Sequence, residues 1–186
     1  MWPAGIRSPG RVVEDMVSFI DLAPTFLDVA GIRFADSGMQ ESPGRSLSDI
    51  FNSKKSGQVN PKRDYVMIGK ERHDYSRPGN QGFPIRGIVG KDFLYLHNYK
   101  IDLWPAGNPE LGYLDVDGSP TKTEILELYR SGKDRSYWEL SFGKRNSDEE
   151  FFNIANDPEC LNNLTNDERL SDLKRQMKTR MEATLK

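Results

Sequence analysis

The chain has 186 residues, 36% of them apolar and 10% aromatic, which suffices for one ordinary domain, or for one domain and a small part of another. Its 26 Lys and Arg against 28 Asp and Glu leave a net charge of −2, so no whole-protein field draws in nucleic acid, and no run approaches the ~20 apolar residues of a membrane span. One cysteine, Cys160, excludes an internal disulfide framework and a multi-cysteine metal site, and the opening "MWPAGIRSPG" lacks the apolar stretch of a signal peptide.

Residues 18–31, "SFIDLAPTFLDVAG", predict a helix. Asp21 is its expected N-cap, and Pro24 falls in the first turn, where a missing N–H does no harm. Phe26, Leu27, Val29 and Ala30 form the apolar part, and Gly31 is the expected C′ residue. The preceding "RVVEDMV" reads as an extended run or a turn. Residues 34–64 are rich in Ser, Gly, Pro and charge, which predicts a long surface connection with one helical island at 46–51.

From Asp64 the character turns to strand: 64–69, 83–89 and 92–99, the last alternating Phe93, Tyr95, His97 and Tyr99 against Leu94, Leu96 and Asn98. Gly90-Lys91 has the spacing of a two-residue hairpin turn. An irregular stretch, 100–121, precedes a helix at 120–132 and a fourth strand at 149–154. Residues 166–186 predict a terminal amphipathic helix, with Leu170, Leu173, Met177 and Met181 three or four apart.

The sum is an α+β arrangement: a small antiparallel sheet with a C-terminal helix on one face, over residues 61–186. The helix at 18–31 has no companion strands with which to bury its apolar face. Residues 1–60 are therefore expected to be the end of a larger α/β domain whose beginning is absent, with an exposed apolar helix face that invites dimerisation.

Chemistry has few footholds. Cys160 sits in "NDPECLNN" without a neighbouring cation to lower its pKa, and reads as a half-buried turn residue. The histidines are His73 and His97, with neither a G-x-S-x-G elbow nor H-E-x-x-H, and His97 alternates with aromatics as a structural strand residue would. "DVDGSP" (115–120) has the wrong acceptor spacing for a calcium loop, and "NLT" (163–165) is only a formal glycosylation acceptor.

What remains is "MIGKERHDYSRPG" (67–79), a strand end opening into consecutive ionisable residues. Such a run is either a solvated loop or a grip for a polar anion, in which Arg offers a planar fork to sulfate or carboxylate and His or carboxylates bond hydroxyls. Recognition rather than catalysis is the chemistry this segment allows. Arg86, inside a strand, reads as half of a structural ion pair.

The stretch 2–32, with Ser18, Asp21, Pro24, Thr25, Asp28, Ala30 and Gly31, resembles the place in sulfatases of the alkaline-phosphatase superfamily where a late strand of the catalytic domain leads into a helix. "GRSLSDIF" (44–51) is similar to the G-x-S-L segment that follows there. "FPIRGIVGKDFLYLHNY" (83–99), 104–126 and "EEFFNIANDPECLNNLTND" (149–167) resemble most the sulfamidase (heparan N-sulfatase) branch and its bacterial relatives, with Phe152 where Tyr is usual.

The resemblance implies the C-terminal portion of a sulfatase: the end of its catalytic domain, then the small sheet subdomain that helps choose the substrate. It also implies a formylglycine nucleophile made within C-x-[PA]-x-R, and calcium held by aspartates and an asparagine. Neither motif is in this chain, and Cys160 is followed by Leu-Asn-Asn, so nucleophile and calcium site are expected upstream and the chain alone is expected to be inactive. By resemblance the partner is a sulfated saccharide such as a glycosaminoglycan, and the compartment periplasmic, secreted or lysosomal. Arg72 and His73 are then the first candidates for contacting the substrate, with Glu71, Asp74 and Arg77 behind them. Two other readings stand beside this one: a stand-alone carbohydrate- or protein-binding module, and a phosphatase or phosphonate hydrolase of the same superfamily.

Overall fold

The fold, a computed structural model, describes residues 5–72, 77–111 and 118–185. The chain divides into two compact units, one running to Val66 and the other beginning at Met67. No helix among the described residues is long and apolar enough to cross a membrane.

The first unit holds two short helices, α1 (Leu22–Val29) and α2 (Ser48–Phe51), and α1 is entered through a 3-10 turn at Phe19–Asp21. The expected helix is present, but Asp21 does not cap α1 through its side chain. It turns backward and inward instead. Its Oδ2 accepts the Ser18 amide at 3.2 Å and Arg63 Nη1 at 3.1 Å, while Oδ1 accepts the Arg45 amide at 2.8 Å. Gly31 closes α1 as expected, at φ 72°, with the Ile32 amide bonded to the Leu27 carbonyl at 2.9 Å.

Residues 34–64 are no loose connection. Arg63 is 1% exposed and among the largest fully buried side chains. Its Nε donates to Asp49 Oδ2 at 3.1 Å, and its Nη2 to the Arg45 and Ser46 carbonyls at 3.2 and 2.6 Å. A guanidinium, with five donors in a rigid fork, can serve two carboxylates and two carbonyls at once; an ammonium cannot reach them all. Burial raises the Asp49 carboxyl, but the bonds from Arg63 and Asn60 outweigh it and hold its pKa below the usual value.

Smaller bonds complete the lock. Thr25 Oγ1 donates to the Asp21 carbonyl at 2.5 Å and accepts the Leu47 amide at 2.9 Å. Ser46 Oγ donates to Asp28 Oδ2 at 2.6 Å. Asp15 accepts the Val59 and Asn60 amides, both at 2.6 Å. Gly44 is where two backbones meet: a Cβ there would lie 2.1 Å from the Ile20 carbonyl oxygen. The apolar side chains of the helical segment stay outside, Phe19 being 89% and Phe26 67% exposed.

The second unit is built on a sheet of β1 (Tyr65–Lys70), β2 (Ile85–Gly90), β3 (Phe93–Asn98) and β4 (Glu149–Asn153), in that order, with β2, β3 and β4 antiparallel neighbours. Val89 pairs with Leu94, so the two-residue turn falls on Lys91-Asp92, and Gly90 is the last residue of β2 rather than the first of the turn. Gly87 lets the strands approach: a Cβ would lie 2.9 Å from the Tyr95 carbonyl.

Strand alternation gives the sheet two faces. One carries Ile88, Tyr95 and Phe151, all at most 1% exposed, and Phe93 stacked on Phe151 at 5.2 Å. Helix α5 (Ser171–Thr184) packs against β2 and β3 and buries Met181. It begins later than the predicted 166, because Asp167 caps a tighter 3-10 turn at Glu168–Leu170 first.

Glu149 pins α5 to the sheet. It accepts Lys174 Nζ at 2.9 Å, Lys178 Nζ at 2.8 Å and the Tyr95 hydroxyl at 2.8 Å. Burial alone would raise this carboxyl, but the three donors together hold its pKa down to about 2. Burial and the Glu149 carboxylate push the Tyr95 phenol well above its ordinary value.

Among the described residues, two helices lie between β3 and β4. In α3 (Pro120–Arg130), Ser119 Oγ caps by accepting the Lys122 amide at 3.2 Å, with Pro120 opening the helix. The second, α4 (Ser136–Ser141), was not expected from sequence. Leu126, Trp138 and Phe142 form a small core of their own, with Tyr129 stacked on Trp138 at 4.1 Å.

Two outcomes follow. Arg63→Ala, which leaves Asp21 without its buried counter-charge, should destabilise the first unit by roughly 3–5 kcal/mol in urea unfolding; Arg33→Ala, whose pair with Asp36 is 82% and 51% exposed, should not change it measurably. Glu149 has its pKa lowered in the folded state, so its stabilisation is full above the unfolded value of 4.5 and fades as pH falls toward about 2. That shift corresponds to roughly 3 kcal/mol, and Glu149→Gln should flatten the decline of stability between about pH 5 and pH 2.

Candidate functional site

The charged turn joins β1 to β2. Its mouth is closed by the Phe83 amide, which donates to the Glu71 carbonyl at 2.8 Å, and by Gly82, where a Cβ would lie 2.8 Å from that same oxygen. Phe83 is fully buried and anchors the returning strand. His73 and Asp74 lie outside the described residues.

The other three candidates fall in different places. Glu71 is exposed, and its Oε2 accepts Arg86 Nη2 at 2.8 Å; the ion pair expected of Arg86 is therefore present, with a partner inside the turn. Arg86 Nη1 also donates to the Ile85 carbonyl at 2.9 Å. Arg72 is exposed, with Nη1 donating to Asn80 Oδ1.

Arg77 points the opposite way. It is buried, its Nε and Nη2 donate to the Trp104 carbonyl at 2.8 and 2.6 Å, and Nη2 also donates to the Pro105 carbonyl. Its guanidinium lies 5.7 Å over the Phe83 ring. These bonds fasten the base of the turn to the 104–105 segment, a partnership that no local sequence pattern signals. The exposed rim of the turn presents a guanidinium and a carboxylate, a combination able to meet an anion and a hydroxyl together.

The remaining candidates for chemistry are structural. Cys160, at φ 55°, sits in a turn whose Leu161 and Asn162 amides bond the Asp157 carboxylate at 3.1 and 2.8 Å. Burial, then the Asp157 charge, push its thiol upward, away from thiolate chemistry. His97 lies edge-on to Tyr99 at 4.4 Å. Among the described residues no three His, Cys, Asp or Glu side chains gather as a metal site.

The turn has a buried base and an exposed rim, and substitutions should distinguish them. Arg77→Ala removes the guanidinium's bonds to the Trp104 and Pro105 carbonyls, leaving Trp104 only the Gly107 amide, and should lower stability by about 2–4 kcal/mol in thermal unfolding. Glu71→Gln, in a pair whose side chains are 62% and 32% exposed, should change it by less than about 1 kcal/mol.

No protein-family model matches the chain. It is 28% identical over 173 residues to an ulvan-active sulfatase of Formosa agariphila, a match covering 88% of this chain and 25% of that protein. A second ulvan-active sulfatase of the same organism is 23% identical, with 85% of this chain and 28% of that protein covered. Among solved structures, the fold is similar to that of BT4656 in complex with its substrate D-glucosamine-2-N,6-O-disulfate, at a TM-score of 0.50 and 19% identity, covering 98% of this chain and 26% of that one. The chain thus spans about a quarter of the length of the curated relatives it matches. None of these matches carries the expected closeness to the sulfamidase branch. Over most of its length, the chain resembles the C-terminal portion of a sulfatase.

Proposed function

We propose that this chain is the substrate-recognising and scaffolding C-terminal portion of a sulfuric ester or sulfamate hydrolase that acts on sulfated sugars. The similarity to the ulvan-active sulfatases over 88% of the chain supports this reading more than any other observation. The nucleophile and the calcium ligands then belong to sequence outside this chain, since C-x-[PA]-x-R is absent from it. The exposed Phe19 and Phe26 suit a helix that packs against such a domain.

In this reading the turn does not break bonds. Arg72 and His73 hold a sulfate or carboxylate, Glu71 and Asp74 accept from sugar hydroxyls, and Arg77 keeps the turn in place from beneath. Positioning of this kind appears in KM when the contact forms equally in the bound and transition states, and in kcat when it tightens during reaction.

Sulfate release from sulfated and N-sulfated glucosamine tests the proposal, with the full-length gene product beside its Arg72→Ala and His73→Ala variants and beside this chain alone. The full-length protein should turn over and the chain alone should not. Each variant should raise KM by roughly tenfold while remaining folded. Turnover by this chain alone would place the chemistry here. Variants indistinguishable from wild type would reduce the turn to a solvated loop.

A further inference from the structure

The sheet face opposite α5 borders a cleft of about 840 Å³, lined by side chains of β4, α4 and the segments 143–147 and 160–166. The volume is in the range of sites that hold small ligands. No described residue of the charged turn lines it. Half-buried Trp104 and exposed Leu140 and Leu161 give it apolar surface, and Asn146, Asn163 and Asn166 bring amide groups to it.

The charges of the lining do not cancel. Arg135 is paired with Glu139 at 2.7 Å. Arg145 Nε stands 3.5 Å from Glu150 Oε1, beyond a normal hydrogen bond, and that nitrogen is buried with no acceptor. Lys144 donates to the Asp102 carbonyl at 3.0 Å and lies 5.1 Å over the Trp104 ring. No carboxylate among the described residues is paired with it. The buried indole N–H of Trp138, another lining residue, also lacks an acceptor. The described lining thus sets three cations against two carboxylates, and Lys144 is the cation whose charge no carboxylate neutralises.

We infer that this cleft binds a saccharide unit bearing a sulfate or carboxylate group, with the anion at Lys144, beside the Arg145–Glu150 pair, and the sugar ring against Trp104. A pyranose presents C–H groups to an indole and hydroxyls to planar amides, while its anionic substituent needs a cation that is not already spent. The inference rests on the reading of the parent as an enzyme of sulfated sugars. It adds a second point of attachment for the glycan, separate from the turn.

The test is an NMR titration of the isotope-labelled 186-residue chain with a sulfated heparin disaccharide, its unsulfated counterpart, and inorganic sulfate. The sulfated disaccharide should shift the Trp104 indole and the amides of 144–147 and 163–166. Lys144→Glu, an exposed substitution, should weaken binding by at least about fivefold, and Arg145→Gln should weaken it as well. The unsulfated sugar and inorganic sulfate should each bind more weakly. Equal binding of inorganic sulfate would make the cleft an anion site only, and equal binding of the unsulfated sugar would remove the role of Lys144; either result overturns the proposal. So would the absence of shifts, or shifts confined to 70–82 and abolished by Arg72→Ala. Sulfate release by the full-length protein, which does not depend on this map, reports separately on the enzyme reading.

Discussion

The buried pairing of Arg63 with Asp21 is the constraint around which the first unit is arranged. A guanidinium removed from water must have its donors met, and here they are met by side chains and carbonyls from two separate stretches of chain, at Asp21 and at 45–49. This requirement dictates neighbouring residues. Thr25 must carry a hydroxyl because it links the Asp21 carbonyl to the Leu47 amide, and Gly44 must lack a side chain because the Ile20 carbonyl occupies that space. The residues by which 18–31 and 44–47 resemble a sulfatase are thus largely the parts of one polar lock. Their chemistry is architectural, which is why they identify a relative without offering a catalyst.

The second unit solves the opposite problem with a different balance of forces. Its sheet and α5 enclose aromatic side chains, and charge enters at the edge of that core. Glu149 joins β4 to two lysines of α5 and to the Tyr95 hydroxyl, so a single carboxylate sets how the helix lies on the sheet. Arg77 does comparable work at the base of the charged turn, through backbone carbonyls instead of carboxylates. Rigid support beneath an exposed rim fixes the backbone that carries Glu71 and Arg72, and with it the position at which their charges stand.

The strands and the longer helices were legible in the sequence because alternation and helical spacing are local signals, and the Arg86 ion pair was legible because a lone arginine within a strand needs a partner. Three features were not. Helix α4 has six residues, too few for periodicity to declare itself, and its start depends on Asp134 bonding the Ser136 amide and hydroxyl. The fastening of 34–64 was hidden because composition reports polarity, and polar residues that cross-link a fold look the same in sequence as polar residues in water. Arg77 stands within a charge run, so nothing nearby distinguishes it from Arg72; the segment that claims it, at 104–105, lies far along the chain. The site was readable as a cluster of residue types, and its division into exposed rim and buried base was not.

The sheet is sequential in strand order, yet the connection from β3 to β4 carries two helices and a private core of Leu126, Trp138 and Phe142. The entropy lost in closing such a loop grows only with the logarithm of its length, about 0.6 kcal/mol for each doubling. The helical part of this connection can therefore be lengthened, shortened or rebuilt without unseating the strands it joins, provided the 104–105 carbonyls that hold Arg77 stay in place. A protein arranged in this way can change what its surface recognises at one address while the framework below inherits almost none of the change.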